Sequence, residues 1–435
     1  VLGKIDNEDI VFSSESDRNR LKAEAHFFRA WSYRFLGIMY GGVPIVLNEL
    51  TEPKRDFQRA PVQDVWAQVI NDLNFAVDNL PSVTESKADG KLTKATARHL
   101  LAEIYIITEE YDKAIVSASA VIDDPNYELM RDRFGSRMDE PGDVYWDLFR
   151  RGNQNRSSGN TESIWVCQYE YNVDGGGRDN MMLWCLGPRY WNLKDPNGEY
   201  LFFSFSNQHG GRPAGWMSGS SYMDTIVWER SGWNEDIRNS EYNIWHDMVS
   251  DNPESVWYGQ KIIESGALDV NPNYIRRDWH AFFTKIAPVN NFPAELIANP
   301  ETGEVTNAAS KTFRDTYVYR LAETYLLRAE AYLRAGQTDL AANDINEVRS
   351  RASAPPVSAG DVDIDYILDE RARELCWEGT FRQLTLRRMG KLVERVREYN
   401  PISGPTIEEF HQLMPIPQSE IERNTEAVLE QNPGY

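Results

Sequence analysis

The sequence predicts a mainly α fold, in which tetratricopeptide-like helix pairs form a curved scaffold interrupted by one large, irregular, loop-rich insertion. Three observations lead there. A helix-pair pattern occurs twice, helical periodicity fills residues 21–123 and 313–399, and the stretch between them is rich in tryptophan, glycine and asparagine.

The repeat carries the most weight. ATARHLLAEIYIITEEYDKAIVSASAVID (95–123) places Leu101, Ala102, Tyr105, Ala114, Ala118 and Val121 at the spacing of a helix hairpin. TYLLRAEAYLRAGQTDLAANDINEVRS (324–350) places Ala329, Tyr332, Ala341, Ile345 and Val348 in the same way. Small residues let one helix approach the other, and the tyrosine fills the gap above the turn. Glu109-Glu110 and Gly336-Gln337 occupy the two turns. Two solitary hairpins cannot bury their faces, so further pairs must stack on them. Residues 21–40 with 62–80 are expected to form one such pair, and 364–396 another.

The middle zone differs. Residues 141–310 hold ten of the 13 tryptophans, and NVDGGGRDN, DPNGEY and NQHGGRPAGWMSGSS are turn and loop chemistry. SIWVCQY (163–169) and EYLFFSF (199–205) are strand candidates, without any long periodic pattern. The expected organisation is a single domain over 1–435, with helical repeats at 21–140, the insertion at 141–312, and repeats plus a closing segment at 313–435.

Charge narrows the function. The chain carries 46 basic and 67 acidic residues, a net charge of −21. A nucleic-acid binder needs a cationic surface, and so does a protein that docks on anionic lipid. Cys167, Cys185 and Cys376 are too few and too scattered for a disulfide framework or a CxxC metal site. The six histidines form no HExxH or i, i+4 pair, and neither a Walker loop nor GxSxG occurs. DGGGRDN (174–180) reads as a flexible turn. No cofactor, metal site or catalytic residue is therefore expected, and the chain is not read as an enzyme.

Five ordered motifs carry a resemblance. LKAEAHFFRAWSYRFLGIMYGGVPIV (21–46) resembles an early signature of SusD/RagB proteins, an AEA-x-FFRA helix running into a YGGVP turn. There Gly41 and Gly42 end the helix and Pro44 forbids its restart. KATARHLLAEIYIITEEYDKA (94–114) is similar to the family's first repeat, and YRLAETYLLRAEAYLRAG (319–336) with DINEVRSRA (344–352) to a later one. ILDERARELCWEGTFRQLTLRRMGK (367–391) resembles its ER-x-x-EL-x-x-EG-x-R segment, and LMPIPQSEIERN (413–424) with QNPGY (431–435) its closing motif. Gln383 and Thr385 depart from the aromatic and aspartate usual before LRR. Members carry a lipobox cysteine and further residues ahead of the AEA helix, so an N-terminal piece is expected beyond this sequence.

The resemblance implies a lipid-anchored protein on the outer-membrane surface of a Bacteroidetes-type cell, partnered with a SusC-like TonB-dependent transporter. Its cargo would be an oligosaccharide or polysaccharide, with peptide cargo as the alternative. A helical glycoside hydrolase is the less favoured reading.

Sugar capture needs flat apolar platforms for ring C–H faces and planar polar groups for hydroxyls, and tryptophan and tyrosine supply the platform with few rotors to freeze. LWCLGPRYWNLKDPNG (183–198) sets Trp184, Tyr190 and Trp191 in a loop-rich run with Arg189, Asn192 and Asp195. GGRPAGWMSGSS (210–221) adds Arg212 and Trp216. The expected ligand-binding set is Trp184, Tyr190, Trp191, Asn192, Arg212 and Trp216. Most of the ten tryptophans must pack in the interior, since they cannot all face a ligand.

Overall fold

The computed structural model describes the chain except residues 8, 87, 178, 272–276 and 379–381. Arg178 of the DGGGRDN run and Gly379 of the EG-x-R segment thus lie outside the described residues.

Helix α1 (Glu15–Tyr40) starts where the Ser14 hydroxyl accepts a hydrogen bond from the Asp17 amide. It buries Ala23, Phe27, Ala30 and Tyr33 and packs on α2 (Val62–Asn79), which buries Val65, Val69 and Leu73. Two hairpins follow, α3 (Lys94–Ile107) with α4 (Tyr111–Ile122), and α5 (Leu321–Arg334) with α6 (Thr338–Arg351). Helix α2 packs on α3 and α4 on α5, so each pair stacks on the next. One continuous hydrophobic core runs through them all.

The two expected hairpins share a turn. The Glu110 amide donates to the Tyr105 carbonyl at 2.8 Å, and the Gln337 amide to the Tyr332 carbonyl at 2.8 Å. Ala114 and Ala341 amides then bond Glu110 and Gln337 carbonyls, both at 3.1 Å. This is a Schellman ending, which needs a left-handed residue after the cap. Gly336 supplies it at φ 75°, whereas the first hairpin uses Glu109 at φ 61°. Ala102 and Ala329, Ala114 and Ala341, and Val121 and Val348 are buried at matching places.

Two expectations need adjusting. Residues 364–396 form not two helices but three, α7 (Ile364–Leu375), α8 (Arg382–Arg388) and α9 (Leu392–Tyr399). Residues 163–169 do give a strand, β1 (Ser163–Cys167), but 199–205 do not. There Leu201 and Phe202 are buried side by side, which breaks the alternation a half-buried strand requires.

Strand β1 pairs antiparallel with β2 (Thr316–Arg320), Val166 opposite Tyr317. The chain leaves the scaffold after α4 and re-enters it at α5, so this ladder ties the two ends of the long excursion together. The excursion has its own apolar core, including Leu183, Tyr190, Phe202, Trp279, Phe282 and Phe292.

A buried ion network joins excursion and scaffold. Glu370 and Glu374 of α7, with Glu378 beyond its end, stand four residues apart in sequence and are all buried. Arg238 of the excursion reaches Glu370 at 2.7 Å and Glu374 at 2.9 Å, and Lys285 reaches Glu378 at 2.9 Å. Arg320 bonds Glu162 at 2.7 Å and Glu374 at 2.5 Å, and Arg351 pairs with the same two carboxylates. Charges this deep persist only when paired and fully hydrogen-bonded. The ER-x-x-EL-x-x-E spacing thus presents carboxylates to three guanidinium groups and one ammonium arriving from four other segments.

Candidate functional site

The candidate tryptophans meet on one face of the excursion. Trp184 stands on the short helix Met182–Leu186, whose N-terminal end is held by the Asn180 and Thr312 side chains. The Ala214 amide donates to the Trp184 carbonyl at 3.0 Å and the Met217 amide to the Cys185 carbonyl at 2.8 Å. These bonds lay segment 214–217 against that helix. Trp216 follows Gly215, where a Cβ would sit 2.2 Å from the Arg277 carbonyl oxygen, so only glycine lets the chain pass.

The result is a ladder of alternating cations and rings. The Lys311 ammonium lies 5.5 Å from the Trp184 ring, and the Arg212 guanidinium lies 5.5 Å from Trp184 and 5.0 Å from Trp191. Arg189 lies 5.9 Å from Trp191. Phe205 packs edge-on to Trp191 at 6.0 Å and Trp216 edge-on to Trp184 at 5.9 Å. Cations are held over indole faces by the ring quadrupole, which suits half-buried positions where water competes weakly.

The six expected residues divide into two groups. Trp216 is 62% exposed and is an open platform. Trp184, Trp191 and Arg212 are half-buried beneath it and form its support. Trp191 is further fixed by its Nε1, which donates to the Pro213 carbonyl at 2.8 Å. Tyr190 offers no surface to a ligand. It is fully buried, its hydroxyl donates to the Gly211 carbonyl at 2.7 Å, and burial pushes its phenol well above the ordinary value. Asn192 donates to Asp278 at 3.2 Å, the carboxylate that also holds Arg189 at 2.5 Å.

Asp195 is a turn anchor rather than a ligand group. It accepts from the Asn197, Glu199 and Val256 amides and from the Ser255 hydroxyl. Burial raises its pKa, but these donors outweigh it and hold the carboxyl below the usual range. Lys311 and Phe205 were not among the expected residues. Lys311 sits in AASKTF, far along the chain from Trp184, and nothing in its neighbourhood marks it.

Stacked helix hairpins thus carry a separately cored excursion with an aromatic face. Residues 222–435 match the profile described as SusD family, and residues 1–106 match one described as starch-binding associating with outer membrane. SusD-like protein P2 of Formosa agariphila is 28% identical over 40% of this chain and 32% of its own length. Starch-binding protein SusD of Bacteroides thetaiotaomicron is 34% identical over 31% of this chain and 24% of its own. These matches span a third or less of either relative. A solved laminarin binding SusD-like protein superposes at TM-score 0.66 with 23% identity, covering 100% of this chain and 82% of the other. The chain belongs to the SusD/RagB family.

Proposed function

We propose that this chain captures a glycan at the cell surface and hands it to a TonB-dependent outer-membrane transporter, without cutting it. The observation that carries the reading is Trp216, a large apolar ring held in solvent by main-chain bonds on both sides of a packed support. Met217 beside it is exposed as well, and an exposed apolar patch of this kind marks a binding surface. The relatives' names, starch-binding and laminarin binding, support sugar as that cover.

The expected affinity is modest. Covering ~60 Å² of one indole contributes roughly 1.5 kcal/mol at ~25 cal/mol per Å². Set against the cost of association, a few contacts of this size support only weak capture, with a Kd of about 1 mM or weaker. Many surface copies above a transporter would compensate for weak single contacts. Anchoring by a lipid and partnership with a SusC-like transporter belong to the same proposal. Protease accessibility on whole cells and co-purification with the transporter would test them.

A calorimetric screen of purified protein against oligosaccharides and oligopeptides tests the central part. Binding of at least one oligosaccharide class, with its chain length unchanged after incubation, is the expected result. Binding of peptides alone would move the reading to peptide capture, and shortened glycan products would make the protein a hydrolase.

A further inference from the structure

Arg212 and Lys311 stand out in a protein with a surplus of acid. The chain has 67 carboxylate residues for 46 basic ones, and most of its buried arginines are paired with them. Yet among the described residues neither cation meets a carboxylate. The Arg212 Nε is buried without a hydrogen-bond acceptor, and its guanidinium rests between the Trp184 and Trp191 rings. Among the described residues, the Lys311 ammonium meets the Met181 sulfur and the Trp184 ring, with the Cys185 thiol nearby. Their neighbour Arg189, by contrast, is neutralised by Asp278 at 2.5 Å.

The polar character of this face is therefore one-sided. Trp184, Trp191 and Phe205 bring no acceptor, the indole N–H of Trp191 is used by Pro213, and Asp278 is used by Arg189 and Asn192. A neutral sugar presents hydroxyls that both donate and accept, and it is best met by mixed carboxylates and amides. Two unpaired cations with donors only are matched by a ligand that brings negative acceptors. A carboxylate also keeps these charges from being buried unpaired once a sugar ring covers Trp216.

We infer that the glycan taken at Trp216 is anionic, an oligosaccharide carrying uronate carboxylates, with Arg212 and Lys311 as the groups that select it. This inference rests on the glycan reading above and deepens it.

Calorimetry with an oligogalacturonate and a neutral laminari-oligosaccharide of equal length tests it, at low salt and at 0.5 M NaCl. We expect the uronate to bind about tenfold tighter at low salt, with most of that advantage lost at high salt as charges are screened. Arg212→Gln with Lys311→Gln removes the preference and its salt dependence. Lys311→Gln alone serves as the second variant should Arg212→Gln disturb the stack. Equal affinity for both ligands, or a preference untouched by Lys311→Gln and the double change, overturns the charge selection while the glycan reading stands. Binding of neither, while another oligosaccharide class in the screen binds, overturns the charge selection alone, and binding of no oligosaccharide class overturns both.

Discussion

The Tyr190 hydroxyl donates to the Gly211 carbonyl at 2.7 Å where neither group meets water. This bond ties the segment that carries Trp191 to the one that leads into Trp216. An aromatic expected to be a ligand platform is thus the pin that holds the Trp191 and Trp216 segments in register.

Tyr190→Phe keeps the ring and leaves the Gly211 carbonyl without its donor. An unsatisfied buried acceptor costs about 1 to 2 kcal/mol. Urea unfolding should show a loss of that size, and an unchanged midpoint would mean the bond contributes nothing.

The two hairpins predict opposite effects at one structural position. Glu109 holds a left-handed conformation that glycine adopts freely, so Glu109→Gly should raise stability by about 1 kcal/mol. Gly336→Ala should lower it by a similar amount. Thermal unfolding of both variants checks the pair, and effects of equal sign would contradict the shared turn.

The buried ion network sets the response to acid. Burial alone would raise the Glu370 carboxyl, but Arg238, Arg373 and Arg349 outweigh it and hold it at about 2. Glu323 is likewise held at about 2, its burial outweighed by Arg371 and His99. Folded values below the unfolded ~4.3 mean that the stabilisation is complete above about pH 5. It is lost as pH falls through 4 toward 2. Circular dichroism should therefore show acid unfolding in that window. Glu374→Gln, which leaves Arg351 and Arg320 short of a counter-charge, should cost about 3 to 5 kcal/mol at pH 7.

Trp184 and Trp216 should separate by phenotype. Trp216→Ala removes an exposed ring, so stability should stay within about 0.5 kcal/mol while glycan binding is lost. Trp184→Ala opens the ladder between Lys311 and Arg212 and should lower both stability, by about 2 to 3 kcal/mol, and affinity. Melting curves beside calorimetry resolve the two. A Trp216→Ala protein that binds as well as the parent would remove the platform from the account.

The helical scaffold was legible because small residues and a tyrosine recur at helix spacing, and Ala102 and Ala329 can occupy their places only in a close-packed hairpin. The division of 364–396 into three helices was not, since its periodicity runs on through both breaks. In the site, Trp216 was marked by its loop-rich run, but its exposure was invisible. Tyr190 and Trp184 have the same local signature as Trp216. Which ring faces water depends on Gly211, Pro213 and Ala214, brought alongside from 20 to 30 residues away. Lys311 could not be found at all, because only the pairing of Asn180 with Thr312 carries it to Trp184.

The most direct measurement is a crystal structure of the protein with a bound oligosaccharide. A sugar ring should lie flat on the Trp216 indole, with acceptor oxygens turned toward Arg212 and Lys311. Ordered sugar on another face of the molecule, with Trp216 left bare, would contradict the account.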